Sequence, residues 1–305
     1  FGAPRIRVLA TCHRHGSVDR ALRFLGFGTE ALVQVEADPK GGMRMEALRE
    51  CLADGPGPTV VLLNAGDLNV AAFDDFAQLI PIARDARAWV HVDGAFGLFA
   101  RASRSKRHLT RGLDEADSWA TDAHKWLNVP FDCGFAVVRH SAAHSAAMTQ
   151  SAGYIAAETG ARDPIDWNLE WSRRARSIPV YAALRELGSE GVEDLVNRCC
   201  AHCAALGSGL GNLDGAAVVA EPTLNQGLIR FCLPHTTPAE GDLFTERVIR
   251  AVNATGEAFF SPTTWDGRRV MRVSVVNWQT GPQDVARAVA AVKGALESTA
   301  RSSSP

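Results

Sequence analysis

The chain has 305 residues, 46% hydrophobic and 22% charged, with a net charge of −2 and both signs interspersed. Such a chain makes one large globular domain or two, with a sizeable core. The even charge excludes a basic nucleic-acid footprint and an acidic interaction tail, and no apolar run approaches the roughly 20 residues of a membrane span.

The chain opens on FGAPRIRVLA, without methionine and almost at once strand-like, which reads as a start inside a fold; no secretory leader is visible. RIRVLAT (5–11) reads as a strand, and SVDRALRFLG (17–26) as a helix with Ser17 as N-cap and Gly26 past its end. ALVQVEA (31–37) is a strand and RMEALRECLAD (44–54) an amphipathic helix. TVVLLNA (59–65) is a continuous apolar run, as expected of a strand covered on both faces. FDDFAQLIPIARDA (73–86) is a helix and AWVHVD (88–93) a strand, with further strands at 117–122 and 134–140. This alternation predicts a mainly parallel sheet with helices on both faces, and ligands at the carboxyl ends of its strands. Those ends carry His13 and His15, residues 66–69, Asp93, and His124 with Lys125.

Between about 141 and 177 the pattern weakens to Ala, Ser and Gly, reading as a mobile loop or a loosely packed helix. A helical stretch follows from 178 to about 210, then strand-like VAEPT, GLIRFCLP, EAFFSPT and VMRVSVV, with helices at 241–254 and 282–297. The division is a large α/β domain over 1–177 and a smaller α+β domain over 178–305. The seven cysteines are odd in number and irregularly spaced, which predicts reduced thiols in a cytoplasmic protein and no zinc site.

Three strand-end features carry chemistry. Asp93 in WVHVDGAFG is either a turn-forming residue or a carboxylate held for a ligand cation, with Gly94 and Ala95 leaving room for a flat group. Lys125, in ATDAHKWLNVPFDCG, either snorkels to the surface or sits partly desolvated as an amine nucleophile for a carbonyl. His13 and His15 are hydrogen-bonded loop residues, a metal pair without an evident third ligand, or flat rings for stacking. Together an amine, a carboxylate and a flat ring describe what pyridoxal phosphate requires: an aldehyde partner, a partner for the pyridine nitrogen, and packing on the ring faces.

These stretches resemble the pyridoxal-phosphate-dependent group II amino-acid decarboxylases over nearly the whole chain. ADSWATDAHKWLNVPFDCGFAVVR is similar to the family's lysine signature, WVHVDGAFG to its aspartate strand, HGSVDRALRFLG to its histidine segment and NAGDLNVAAFDDF to its glycine-containing turn. The resemblance implies an aspartate-aminotransferase-type (fold type I) α/β large domain, pyridoxal 5'-phosphate as cofactor and a homodimer with the active site at its interface. It implies that Lys125 forms the Schiff base, Asp93 pairs with the pyridine nitrogen, His15 rather than His13 stacks on the ring, and Ala95 covers the other face. It places His124 near the phosphate and Asn69 in the cofactor-binding turn, and it makes Tyr154 of a mobile loop the residue that protonates the carbanion. Arg173 and Arg174 match an arginine pair with an ion-pair role.

There are departures. Leu68 stands where animal relatives have threonine, and Asp122 where many members have asparagine; repulsion from a phosphate predicts that Asp122 points elsewhere, capping a turn. The family's phosphate-binding turn lies upstream of the point matching Phe1, and neither GGM (41–43) nor GPG (55–57) replaces it. The expected function is decarboxylation of an L-amino acid to its amine and carbon dioxide. The alternatives are an aldehyde-forming relative, against which Tyr154 argues, and a non-catalytic remnant acting as a binding or interaction module.

Overall fold

The structure, a computed structural model, describes residues 2–150 and 162–302. Its first half is a six-stranded sheet. The strands are β1 (Arg7–Ala10), β2 (Leu32–Gln34), β3 (Thr59–Asn64), β4 (Trp89–Asp93), β5 (Ser118–Asp122) and β6 (Gly134–Val138), in the order β2-β1-β3-β4-β5-β6. Every neighbouring pair is parallel except β5 with β6. The connections are α1 (Gly16–Phe24), α2 (Met45–Ala53), α3 (Phe76–Asp85) and the single turn α4 (Ala123–Trp126).

Alternation along the strands divides the two faces. Leu9, Val61, Leu63, Val90 and Val92 point to one side and pack on Leu48 of α2 and Phe76, Leu79 and Ile80 of α3. Val8, Val60, Leu62 and His91 point the other way and line a cavity walled by α1. The apolar run at 59–65 therefore has a helical layer on one side and a cavity on the other. Because β1 has β2 on one flank and β3 on the other, the direction of winding reverses beside it, which opens a crevice at the strand ends.

The second half carries α5 (Ser141–Met148), the long α6 (Ser177–Gly211), α7 (Pro238–Ala254) and α8 (Pro282–Arg301). It also forms an antiparallel sheet of β7 (Ala216–Ala220), β8 (Gln226–Phe231), β9 (Ser261–Trp265) and β10 (Arg268–Ser274), in the order β7-β8-β10-β9. α5 buries none of its residues, as a loosely packed helix should. α6 breaks at Gly188, whose φ of 60° and ψ of −174° suit glycine and strain any side chain. Tyr154 lies outside the described residues.

One apolar cluster joins the halves. Phe96, Ala100 and Trp126 pack with Leu195, Phe231, Phe244 and Met271. Trp126 is fully buried, and its indole N–H donates to the Phe96 carbonyl at 2.7 Å. Burying an indole removes roughly 150–250 Å² from water, worth about 4–6 kcal/mol before entropy. This anchor stands directly beside Lys125.

Beneath the β3 turn lies the buried carboxylate of Asp74. Its oxygens accept from the backbone N–H groups of Met43 and Asn64, each at 2.6 Å. Burial pushes this carboxyl up to about 7, the two N–H bonds opposing it and the charges of Asp67 and Asp38 adding to it. An acid whose folded pKa is raised binds more protons folded than unfolded, so its contribution to stability is full at low pH and is lost as pH rises from about 4 to about 7. The slope is at most about 1.4 kcal/mol per pH unit. In urea titrations at pH 5 and pH 8, the wild-type chain loses more stability across the interval than Asp74→Asn. At pH 5 the variant is less stable by about 1–3 kcal/mol, since one amide oxygen cannot serve both N–H groups. Parallel losses in the two chains would refute this assignment.

Candidate active site

A cavity of about 540 Å³ opens at the carboxyl ends of β1, β3, β4 and β5. After β1 the chain turns through His13 and His15, and His15 caps α1. Its Nδ1 accepts from the Ser17 N–H at 3.3 Å and lies 2.8 Å from the Ser17 hydroxyl. Ser17, expected as the cap, is thus the partner of the capping residue. His15 is exposed at the rim, while His13 stacks on Trp265 with centroids 4.4 Å apart.

At the end of β3, Gly66 adopts φ 74° and packs backbone to backbone against Gly97; a Cβ on Gly97 would lie 2.2 Å from the Ala65 carbonyl oxygen. The two strand-end turns therefore nest closely. Asp67 holds its turn by accepting from the N–H groups of Asn69 and Ala72, each at 2.7 Å. Burial raises its carboxyl above the usual range, and those N–H bonds oppose the rise. At the end of β4, Asp93 accepts from the Ala95 N–H at 3.1 Å. Two residues back, His91 faces the same cavity, with Nδ1 2.8 Å from the Ser118 hydroxyl, and burial keeps its imidazole below the usual range.

Lys125 lies on α4, in the link between antiparallel β5 and β6. His124 fixes one side of it through Nδ1, 2.9 Å from the Cys133 carbonyl, and Trp126 fixes the other. The lysine Nζ is 2.9 Å from the Asp122 Oδ2 and 4.3 Å from the centre of the Phe96 ring. Asp122 therefore departs from expectation. It makes no side-chain cap to α4 and points to the cavity, because the lysine three residues on lies over the same side of the helical turn.

The cavity brings Lys125, Asp93, His15 and Ala95 together, with His13, Asp67, His91, Phe96 and Asp122 beside them. Its wall among the described residues does not include Asn69 or His124. The Asn69 Oδ1 accepts from the Thr263 hydroxyl at 3.0 Å, and the His124 ring leans on Phe131 with centroids 4.2 Å apart. Arg173 pairs with Glu170 at 3.4 Å and Arg174 with Asp132 at 3.3 Å, both away from the cavity. The sequence reading did not single out His91, Phe96 or Asp67. Strand alternation marks His91 as a partner of Asp93, and the GDLN spelling marks Asp67 as a turn-forming carboxylate.

An amine and a carboxylate stand at adjoining parallel strand ends, with an imidazole at the rim. Residues 4–233 match the pyridoxal-dependent decarboxylase conserved domain, and the chain belongs to that family. It is 27% identical over 293 residues to an L-2,4-diaminobutyrate decarboxylase of Rhizobium meliloti (strain 1021), covering 93% of this chain and 59% of the relative. It is 27% identical over 294 residues to an aromatic-L-amino-acid decarboxylase of Bacillus atrophaeus, covering 93% and 61%. The chain thus spans about three fifths of the length of these two relatives. Among solved structures it resembles Oryza sativa TDC with PLP and tryptamine, at 23% identity and a TM-score of 0.90 over 96% of this chain and 63% of that one. Mouse CSAD follows at 22% identity and a TM-score of 0.89, over 96% and 64%. The chain has the α/β fold of these proteins.

Proposed function

We propose that the chain, as part of its enzyme, decarboxylates an L-amino acid to the corresponding amine and carbon dioxide with pyridoxal 5'-phosphate as cofactor. The observation that carries this reading is the convergence of the Lys125 amine, the Asp93 carboxylate, the His15 imidazole and the small Ala95 on one cavity at the strand ends. This donor set suits the cofactor: an amine for its aldehyde carbon, an anion for its ring nitrogen, and a flat group and a small one for its two ring faces. When bound, the cofactor supplies an electron sink that lets the bond from the α-carbon to the carboxylate break.

The chain's own groups do the rest. Lys125 would hold the cofactor through its amine. Asp93 keeps a proton on the ring nitrogen, and its strand-end position fixes the distance. His15 and Ala95 would orient the ring, and His124, behind the wall, would act toward the phosphate only through the loop it fixes to the Cys133 carbonyl. Tyr154 returns the proton to the α-carbon. We place the cofactor-binding domain at 1–177 and the small domain at 178–305. We read the protein as a cytoplasmic homodimer. Supporting the dimer, Ile178, Tyr181 and Leu184 leave an apolar stripe exposed along the start of α6.

The test is release of carbon dioxide from diamino, aromatic and acidic L-amino acids, substrate types taken from the relatives' names, by the enzyme that carries this chain with its upstream sequence restored, supplied with pyridoxal phosphate. The expected result is release with formation of the matching amine. An aldehyde as product, or no release from any of the panel, would refute the reading.

A further inference from the structure

The wall around Lys125 contains a group the proposed chemistry does not use. Asp122 ends β5 with its Oδ2 2.9 Å from the lysine Nζ. The Phe96 ring lies 4.3 Å from that nitrogen, so the ammonium is clamped between an anion and an aromatic face. The carboxylate has no helix-capping bond, and its other near neighbour is the His124 Nε2 at 3.9 Å. Across the ladder stands Gly134, paired in register with Asp122, where a Cβ would come within 3.3 Å of the Asp122 Oδ1. The space the carboxylate occupies is thus left by a glycine.

We infer that Asp122 is a positioning residue for Lys125: in the cofactor-free chain its carboxylate holds the lysine ammonium against the cavity wall, and the lysine must leave it before its nitrogen engages an incoming carbonyl compound. This deepens the decarboxylase reading and rests on it for the identity of that compound. Separating the two charges costs energy. The lysine and aspartate side chains are 26% and 30% exposed, so solvent screens the pair. An exposed pair worth about 0.2–1 kcal/mol slows release by about 1.4- to fivefold.

The test uses the full, cofactor-free chain and a small neutral acylating reagent, N-hydroxysuccinimidyl acetate, with the acetylation rate of Lys125 read by peptide mass spectrometry. Lys40 and Lys293 serve as internal standards. Asp122→Asn is expected to raise the Lys125 rate by about 1.4- to fivefold at fixed pH, with the standards unchanged, and Asp122→Glu to restore a rate near wild type. Should Asp122→Asn unfold, seen as faster labelling of Lys106, whose Nζ donates to the Thr223 carbonyl at 2.9 Å in the fold, Asp122→Ser carries the same test. An unchanged or slower Lys125 rate in the variant lacking the carboxylate overturns the inference. A second arm compares pyridoxal 5'-phosphate with pyridoxal, each fixed by borohydride. Equal gains for the two in Asp122→Asn support release of the lysine, and a gain confined to the phosphorylated probe overturns it in favour of phosphate repulsion. Loss of cofactor capture in the wild type would strike the decarboxylase reading and leave the acetylation result standing.

Discussion

With Lys125→Ala, carbon dioxide release falls below detection for every amino acid tested, and borohydride fixes no cofactor to the chain. Lys125 is the one lysine on the cavity wall among the described residues, so no neighbouring amine can take its place. The fold should survive the change. The loop around the lysine is held by the buried Trp126 indole and by the His124 bond to the Cys133 carbonyl. The Asp122 pair is partly exposed and contributes at most about 1 kcal/mol. Loss of activity without loss of stability separates chemistry from architecture. Lys125→Arg sharpens the distinction, because it keeps the positive charge and the Asp122 contact but offers no nucleophilic amine at working pH. Activity retained in Lys125→Arg would show that the lysine serves as a charge alone and would end the proposed mechanism.

Much of this site was legible because the strands punctuate themselves. The apolar run ending in Asp93 names the sheet edge, and the 32 residues from Asp93 to Lys125 leave room for one intervening strand, β5. What the sequence hid depends on contacts distant in the chain or on side-chain direction. His13 and His15 could not be separated by spacing. The structure turns His13 onto Trp265, some 250 residues away, and leaves His15 at the rim. Asp122 was expected to avoid the cavity because only the charge of an incoming phosphate was weighed; its spacing to Lys125 pointed the other way. Late strand boundaries slipped for a local reason. VAEPT was read as a strand through Pro222, but β7 stops at Ala220, since proline cannot donate to the ladder. Pro262 survives inside β9 because that strand lies at an edge of its sheet.

Asp93→Ala should behave differently from the lysine variants, and the difference is the sharper test of the proposed roles. The Asp93 Oδ1 accepts the Ala95 N–H at 3.1 Å, and among the described residues its Oδ2 has no hydrogen-bond partner. That leaves one oxygen facing the cavity for a cationic ring nitrogen. Losing the bond to Ala95 costs about 0.5–1.5 kcal/mol of stability, which a chain of this size tolerates. Breaking a desolvated charge pair costs about 3–5 kcal/mol, and at 1.36 kcal/mol per tenfold that corresponds to a rate loss of about 10²- to 10⁴-fold. Cofactor capture by Lys125 should persist, because the amine and the wall around it are untouched. Asp93→Asn should fall nearly as far as Asp93→Ala, since a neutral amide cannot balance a protonated ring nitrogen. Asp93→Glu keeps the charge but moves it, and should recover part of the rate. Carbon dioxide release and borohydride capture, measured on the same samples, decide the matter. If Asp93→Ala abolishes capture as completely as Lys125→Ala, the carboxylate is a structural residue of the strand end. If it leaves release unchanged, the anion facing the cavity plays no part in the chemistry.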